Sequence, residues 1–415
     1  MRHVQTFADA NKVLEPYYQA VPSASQAYTL ERMRVLIAAL GNPQESLKII
    51  HVAGTSGKTS TCYYIAAMLT QAGQKVGLTV SPHLTEVNER LQVNEVPLAE
   101  TPYCAALTEF LELLNSLEVK PTYFELLIAF AYWYFAKEKF DYAVVEVGLG
   151  GLLDSTNVVT RADKVCVITD IGLDHQHVLG STLSEIAAQK AGIIQLGNPV
   201  FYFQQAAAVN QVISDVAKYK TEKVHAIAYD QSVGRAQSLP HFQQRNWQLA
   251  AHVFDYLQVR DNLLELSSEQ WRCSETTYIP GRMEIIKIAD KTIILDGAHN
   301  PQKMQALAES VSAIYEKSSI SALVAFKASK DIGASLKAIS PVCAHIIATE
   351  FDNTFATKPV SCRAVDIAEQ APAAIEPIPH LTEAWRALLA SKEPVLLVTG
   401  SFYLLQAVKA LIAAK

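Results

Sequence analysis

Residues 54–60 read Gly54-Thr55-Ser56-Gly57-Lys58-Thr59-Ser60. Backbone N–H groups of a glycine-rich turn can point at phosphate oxygens, and the positive end of a following helix adds to their field. A lysine in such a turn neutralises β/γ-phosphate charge as a point cation, and a hydroxyl after it can hold Mg2+. The longer spacing G-x-x-x-x-G-K-[ST] would need glycine at position 52, where Val52 stands, so this is the shorter Gly-Thr-x-Gly-Lys form. The bland alternative is a chance glycine turn. An apolar run at 47–52 in front and a helical pattern at 59–71 behind favour the phosphate loop.

Carboxylate and imidazole chemistry follows at other strand ends. Glu146 ends the apolar run 142–147 and leads into Val147-Gly148-Leu149-Gly150-Gly151, whose glycines let backbone approach a ligand. A carboxylate there, beside a phosphate-loop strand, can coordinate a nucleotide's Mg2+; the plain alternative is an exposed rim residue. Asp174-His175 follows the run 164–171 in the same way, with His177 an equal rival two residues on. Ser81, ahead of Pro82-His83, offers a hydroxyl at the end of the run 75–80. Lys190 lies in a helical stretch of small residues, where a solvated lysine is the ordinary reading. Asp296-Gly297-Ala298-His299-Asn300-Pro301 ends a further strand, as a ligand-contacting cluster or as an Asn-Pro turn with a capping Asp.

The elements that must hold these residues alternate along the chain. A helix over 24–41, striped by Leu30, Met33, Leu36, Ile37 and Leu40, is ended by Gly41-Asn42-Pro43. Continuous apolar strands at 47–52, 75–80, 142–147, 164–171 and 198–203 are interleaved with helices at 59–71, 100–118 and 124–137, which predicts a parallel sheet covered on both faces. The pattern weakens between 204 and 240, and a helix is expected at 246–257. A polar, turn-rich stretch at 266–281 marks a domain boundary. Alternation restarts with strands at 291–296, 322–326, 344–349 and 395–398 and a helix at 302–315, so the second half reads as a smaller α/β domain.

Bulk numbers bound the function. At 415 residues the chain favours two domains. A balance of 35 basic and 41 acidic residues, net −6, argues against a broad nucleic-acid or membrane surface. Six scattered cysteines without CxxC spacing read as free thiols in a reducing compartment. The N-terminus has no signal-peptide run, and the apolar stretch 126–136 is shorter than the about 20 residues a membrane span needs. A cytoplasmic protein is expected.

Taken together, these motifs resemble the Mur ligase superfamily, and most closely its folylpolyglutamate synthase/dihydrofolate synthase branch. The resemblance runs from Leu30-Glu31-Arg32-Met33 through the phosphate loop, Ser81-Pro82-His83-Leu84, Asn88-Glu89-Arg90, Thr122-Tyr123-Phe124-Glu125 and Glu146 to Gly151. It continues through Asp154 to Asn157, Gly172-Leu173-Asp174-His175, Lys190-Ala191-Gly192, Pro280-Gly281-Arg282, Asp296 to Pro301 and Thr399-Gly400-Ser401. The Ser-Pro-His-Leu and Asn-Glu-Arg pair points to the folate branch rather than to peptidoglycan ligases.

The resemblance implies an α/β fold: a P-loop parallel-sheet ATPase domain over 1–275, with an N-terminal helical segment, then a smaller Rossmann-like α/β ligase domain over 282–415. It implies ATP and Mg2+ as cofactors, a pterin or folate and L-glutamate as substrates, and a monomer. Gly54 to Ser60 would hold ATP phosphates, and Asn246, Arg282, Asp296 and His299 would contact the nucleotide. Ser81 and Glu146 would bind one Mg2+. His175, in preference to His177, would help bind a second, with Lys190 carried as a carbamate. Phe124 and Asp154 would lie on the pterin side.

Three positions depart from the branch: Thr59 where glycine is usual, Leu152 where an arginine follows the two glycines, and Phe242 where histidine is common. The implied reaction phosphorylates a carboxylate from ATP; the acyl phosphate is then attacked by the amine of glutamate, releasing ADP and phosphate. Two rivals remain at this point: a Mur-type ligase for another carboxylate, and a nucleotide-binding relative that has lost catalysis.

Overall fold

The computed structural model describes residues 4–18, 29–117, 119–221, 223–229, 236–351 and 361–414. The chain packs as two compact units. The described residues of 1–237 and 245–277 form one, those of 238–244 and 278–415 the other. Segment 238–244 belongs to the second unit because Phe242 packs against that unit's core.

In the first unit the strands are β1 (Lys48–Ala53), β2 (Val76–Thr79), β3 (Gln92–Val93), β4 (Val96–Pro97), β5 (Tyr142–Glu146), β6 (Val165–Ile168), β7 (Val200–Phe203) and β8 (Val224–Ile227). Among the described residues they make one sheet in the order β4-β3-β2-β5-β1-β6-β7-β8. Pairing is parallel from β2 to β8, and antiparallel only where β3 joins β2 and β4 joins β3. The apolar runs 142–146 and 165–168 are buried at every residue, as strands covered on both faces require. One face carries the helices Tyr123–Lys137 and Glu100–Asn115 and, further along the sheet, Ile186, Ile193 and Ile213 from later segments; against the other lies the helix His241–Asp261, whose Tyr256 and His252 meet Phe201 and Phe203 of β7. β1 is flanked by β5 and β6, and because the three run parallel, their carboxyl ends share one edge. That edge is where ligands enter open α/β sheets.

The second unit contains β9 (Glu284–Ile288), β10 (Lys291–Leu295), β11 (Ile320–Val324), β12 (His345–Ala348), β13 (Glu376–Pro377) and β14 (Val395–Thr399). Among the described residues the order is β13-β12-β11-β14-β10-β9, with only β9 antiparallel. Ile294, Leu307, Val324, Ile339 and Leu397 belong to its core.

Several elements differ from the sequence reading. The segment 204–240 holds the helix Ala207–Lys218, whose only buried residues are Val209, Ile213 and Ala217, so its apolar stripe is narrow. The stretch 266–281 holds the helix Ser268–Glu275, which a Ser267/Gln270 capping box starts although it buries only Trp271 and Ser274. The helix expected from 246 begins at His241 and runs to Asp261. Of the helix expected over 24–41, Glu31–Ala39 is helical; residues 24–28 lie outside the described residues.

Candidate functional site

β1 runs directly into the phosphate loop. Thr55 N–H and Ser56 N–H both donate to the Asp170 carbonyl (2.8 and 3.1 Å), while Thr169 Oγ1 donates to the Ser56 carbonyl at 2.6 Å. The residues just after β6 therefore clamp the loop from beneath. Crowding explains both glycines. A Cβ on Gly54 would lie 1.8 Å from Thr169 Oγ1, and one on Gly57 would lie 2.3 Å from Asn246 Oδ1. Gly57 also caps the helix Lys58–Gln71 at φ +88°, with no side-chain hydrogen bond to the cap. The first-turn N–H groups have no intrahelical partner, so they and the helix's positive end face the loop.

Two lysines converge on one carbonyl there. Lys58 Nζ donates to the Gly54 carbonyl at 3.1 Å and Lys190 Nζ to the same oxygen at 2.8 Å. Lys190 is 4% exposed, which overturns the solvated-lysine reading. Burial, helped by the Lys58 cation, pulls its ammonium down to about 7. It lies on the helix Leu183–Ala191, where Ala187 and Ala191 are buried beside it.

Glu146 ends β5 opposite Val52 of β1 and is buried. Its carboxylate accepts from Thr59 Oγ1 (3.0 and 3.2 Å) and from the Ser81 backbone N–H (3.1 Å). The hydroxyl that replaces glycine at position 59 is thus aimed at this carboxylate. Carboxylate and hydroxyl oxygens are the hard donors Mg2+ selects. Among the described residues no group of three or more His, Cys, Asp or Glu side chains is arranged to hold a metal ion. A Mg2+ at Glu146 would accordingly draw most of its ligands from phosphate oxygens and water, its usual habit. His175 lies in the left-handed region (φ +51°) with a half-exposed side chain, its Nε2 3.9 Å from Asp174 Oδ1. Its ring lies 6.3 Å from that of His177.

The loop after Glu146 is fastened from within. Asp154 is buried and accepts from Leu149 N–H (2.7 Å), Thr156 N–H (3.0 Å) and Thr156 Oγ1 (2.5 Å). Burial raises its carboxyl above the usual range, against the pull of these bonds. Thr156 Oγ1 is also 2.7 Å from His51 Nε2 on β1. The ring tip of Phe124 fills the space over Gly148, 2.5 Å from where a Cβ would stand. Leu152 is 42% exposed on the same loop, so the residue in the arginine's place reaches solvent.

In the second unit Asp296 follows β10 and accepts from Met283 N–H (2.9 Å) and Ala298 N–H (2.8 Å). The helix Pro301–Ser312 is capped by Asn300, not by an Asp. His299 Nδ1 lies 2.7 Å from the Gly297 carbonyl and Nε2 3.2 Å from Lys303 Nζ, so its proton belongs on Nδ1. The Arg282 guanidinium lies 4.6 Å over the Phe402 ring.

The sequence reading missed the supports. Thr169 and Asp170 carry no motif, although their place just after a buried strand is the signal that marked Glu146. Arg245 precedes Asn246 and holds the Asp170 carboxylate through two nitrogens (2.9–3.0 Å), its guanidinium 4.7 Å over Phe203 and 4.8 Å over Tyr229. Thr169, Asp170, Phe203, Arg245, Asn246 and Leu249 line a small cavity beside the loop. Lys303 falls one helical turn past His299, a spacing the sequence did offer.

The chain is similar in sequence and fold to known proteins. Residues 52–255 match the Mur ligase middle domain, and residues 281–402 match the Mur ligase glutamate ligase domain. Over 330 residues the chain is 33% identical to the dihydrofolate synthase/folylpolyglutamate synthase of Bacillus subtilis, covering 73% of this chain and 76% of that one. It is 30% identical over 432 aligned positions to the folylpolyglutamate synthase of Lacticaseibacillus casei, covering 95% and 96%. Among solved structures, E. coli FolC in complex with DHPP and ADP matches with a TM-score of 0.82 at 26% identity, covering 100% of this chain and 99% of that one. The bifunctional folylpolyglutamate synthase/dihydrofolate synthase of Yersinia pestis, complexed with AMPPNP and Mn ion, matches at 0.81 and 26%, with the same coverage.

Proposed function

The chain belongs to the folylpolyglutamate synthase/dihydrofolate synthase branch of the Mur ligase superfamily, and from that premise we propose how its residues divide the work. It is an ATP-dependent ligase that adds L-glutamate to folate, with ATP and a divalent cation such as Mg2+ as its cofactors. The coupling runs through an acyl phosphate, with ADP and phosphate released. Dihydropteroate is a second acceptor, a role supported by the double names of its relatives.

Gly54 to Ser60 cradle the phosphates, and Lys58 neutralises charge on the transferring group. Asn246, Arg282, Asp296 and His299 contact the nucleotide. Ser81 and Glu146 hold one Mg2+, and His175 with a carbamylated Lys190 holds another. When bound, the metal supplies positive charge that offsets repulsion between the acceptor carboxylate and the triphosphate. Phe124 and Asp154 shape the pterin side. The observation that carries this reading is the contact of Glu146 with Thr59 at the head of the phosphate-loop helix, which sets a hard-oxygen ligand beside the phosphate cradle. The neutral fraction that a lowered Lys190 has near pH 7 is what carbamate formation with CO2 requires.

The enzyme works as a cytoplasmic monomer without nucleic-acid or membrane partners. The net charge of −6 argues against a broad nucleic-acid or anionic-membrane surface, and the free cysteines support a reducing compartment. The test is ADP release with ATP, Mg2+ and L-glutamate, comparing dihydropteroate, tetrahydrofolate and no acceptor. Release should need both glutamate and an acceptor, and Lys58→Ala should cut it at least about 100-fold. Near-normal turnover by Lys58→Ala would remove the phosphate loop from the mechanism.

A further inference from the structure

A second polar cluster adjoins the turn that carries Ser81. Arg90 ends the short 3-10 turn Val87–Arg90, and its Nε donates to His83 Nδ1 at 2.9 Å. Its guanidinium lies 5.6 Å from the centre of the Tyr123 ring, which in turn packs 4.3 Å from the ring of Tyr18. Among the described residues, no hydrogen bond or ion pair takes the two terminal nitrogens of Arg90. Tyr103, on the helix Glu100–Asn115, is 1% exposed, and its hydroxyl has no hydrogen-bond partner. That hydroxyl is within electrostatic reach of both Tyr123 and Arg90, and burial keeps it protonated.

The cluster offers donors and a positive charge without an acceptor to match them. Because the Arg90 Nε–H donates to it, His83 Nδ1 carries no proton, so the ring bears no negative charge that could offset the arginine. A planar guanidinium with both terminal NH2 groups free, next to the Tyr123 ring, complements a carboxylate, which a guanidinium binds with two parallel bonds. A water molecule would satisfy the Tyr103 hydroxyl but leave the charge unmatched.

Position narrows the ligand. His83 is two residues from Ser81, whose N–H meets Glu146. Tyr123 precedes Phe124, whose ring covers Gly148 on the Asp154 loop. Along the chain the cluster thus adjoins both the Ser81 turn that meets Glu146 and the Phe124 assigned above to the pterin side. Dihydropteroate carries one carboxylate, and it reacts. A folate carries two on its terminal glutamate, and only one is activated. We propose that Arg90, backed by the Tyr103 hydroxyl, holds the non-reacting carboxylate of a folate acceptor and so selects acceptors that already carry glutamate. The proposal rests on the ligase function given above.

Steady-state ADP release would be measured for the wild type, Tyr103→Phe, Arg90→Gln and Arg90→Lys, varying tetrahydrofolate, dihydropteroate and ATP in turn. Tyr103→Phe removes only an unpaired hydroxyl, so its fold should persist, and a melting curve checks that. KM for tetrahydrofolate should rise roughly 10-fold in Tyr103→Phe and more in Arg90→Gln, the scale of a lost hydrogen bond to a charged group. KM for ATP should not rise in step, and Arg90→Lys should recover part of the loss. Three outcomes would overturn the proposal: a wild type that uses dihydropteroate but not tetrahydrofolate, an unchanged KM for tetrahydrofolate in both Tyr103→Phe and Arg90→Gln, or equal losses for both acceptors. A wild type that releases no ADP with either acceptor would instead overturn the ligase function itself.

Discussion

Lys190 and Lys58 place two amines on the Gly54 carbonyl, and only one can stay a cation at low cost. Lys58 heads a helix facing a phosphate site, where positive charge is wanted. Lys190 is buried behind it and drawn down to about 7, so near neutrality it is about half unprotonated. Only the neutral amine adds CO2. Trapped carbamate at Lys190 should therefore rise several-fold between pH 6 and pH 8 and level off above that, read by alkylating the carbamate and mapping the modified peptide. Lys190→Ala should lose at least about 100-fold in ADP release, with partial recovery in millimolar acetate or bicarbonate. A variant that turns over normally would leave Lys190 a purely structural lysine. Nothing in the residue string 186–192 gave away this burial. A lysine among alanines is ordinary on a solvated helix, and only the packing of Ala187 and Ala191 against the sheet turns it inward.

At the scale of elements, the phosphate loop was legible because its order, apolar strand then glycine turn then helix, is local in the chain. So were the parallel strands, because burial on both faces writes an unbroken apolar run. Elements whose support is tertiary were not. The edge strand Val224–Ile227 has no buried residue, and the helix Ser268–Glu275 buries two residues. The reason for each glycine was also out of reach, since it depends on Asn246 and Thr169 far along the chain. Two glycines bracket the helix Lys58–Gln71 and allow a controlled comparison. Gly57 and Gly73 both have left-handed backbone, at φ +88° and +80°. A Cβ at Gly73 would meet nothing within 4 Å, whereas one at Gly57 would strike Asn246. Gly73→Ala should cost about 1 kcal/mol of stability and leave KM for ATP unchanged. Gly57→Ala should add the clash and displace the cap, raising KM for ATP more than about 10-fold. Equal KM values for the two variants would separate the cap from phosphate binding.

For the whole molecule, pH couples the fold to groups that the chemistry does not touch. His51 is fully buried on the central strand of the first unit, with Nε2 on Thr156 and Nδ1 unpaired. Burial, and then the nearby Lys164 cation, hold its imidazole well below the ordinary histidine range. The unfolded chain therefore takes up a proton near pH 6.5 that the folded chain refuses. The sign follows from that difference: stability from this group is complete above about pH 6.5 and falls as pH drops, by up to about 1.4 kcal/mol per pH unit. Acidification should loosen the sheet that carries both β1 and the Asp154 loop, since His51 and Thr156 join them. The measurement is the urea midpoint at pH 7.5 and pH 5.5 for the wild type and for His51→Gln, whose amide can still meet Thr156 but does not titrate. The variant should lose less stability over that interval. Parallel losses in the two proteins would show that the acid sensitivity of the fold arises elsewhere, and that His51 serves the loop by hydrogen bonding alone.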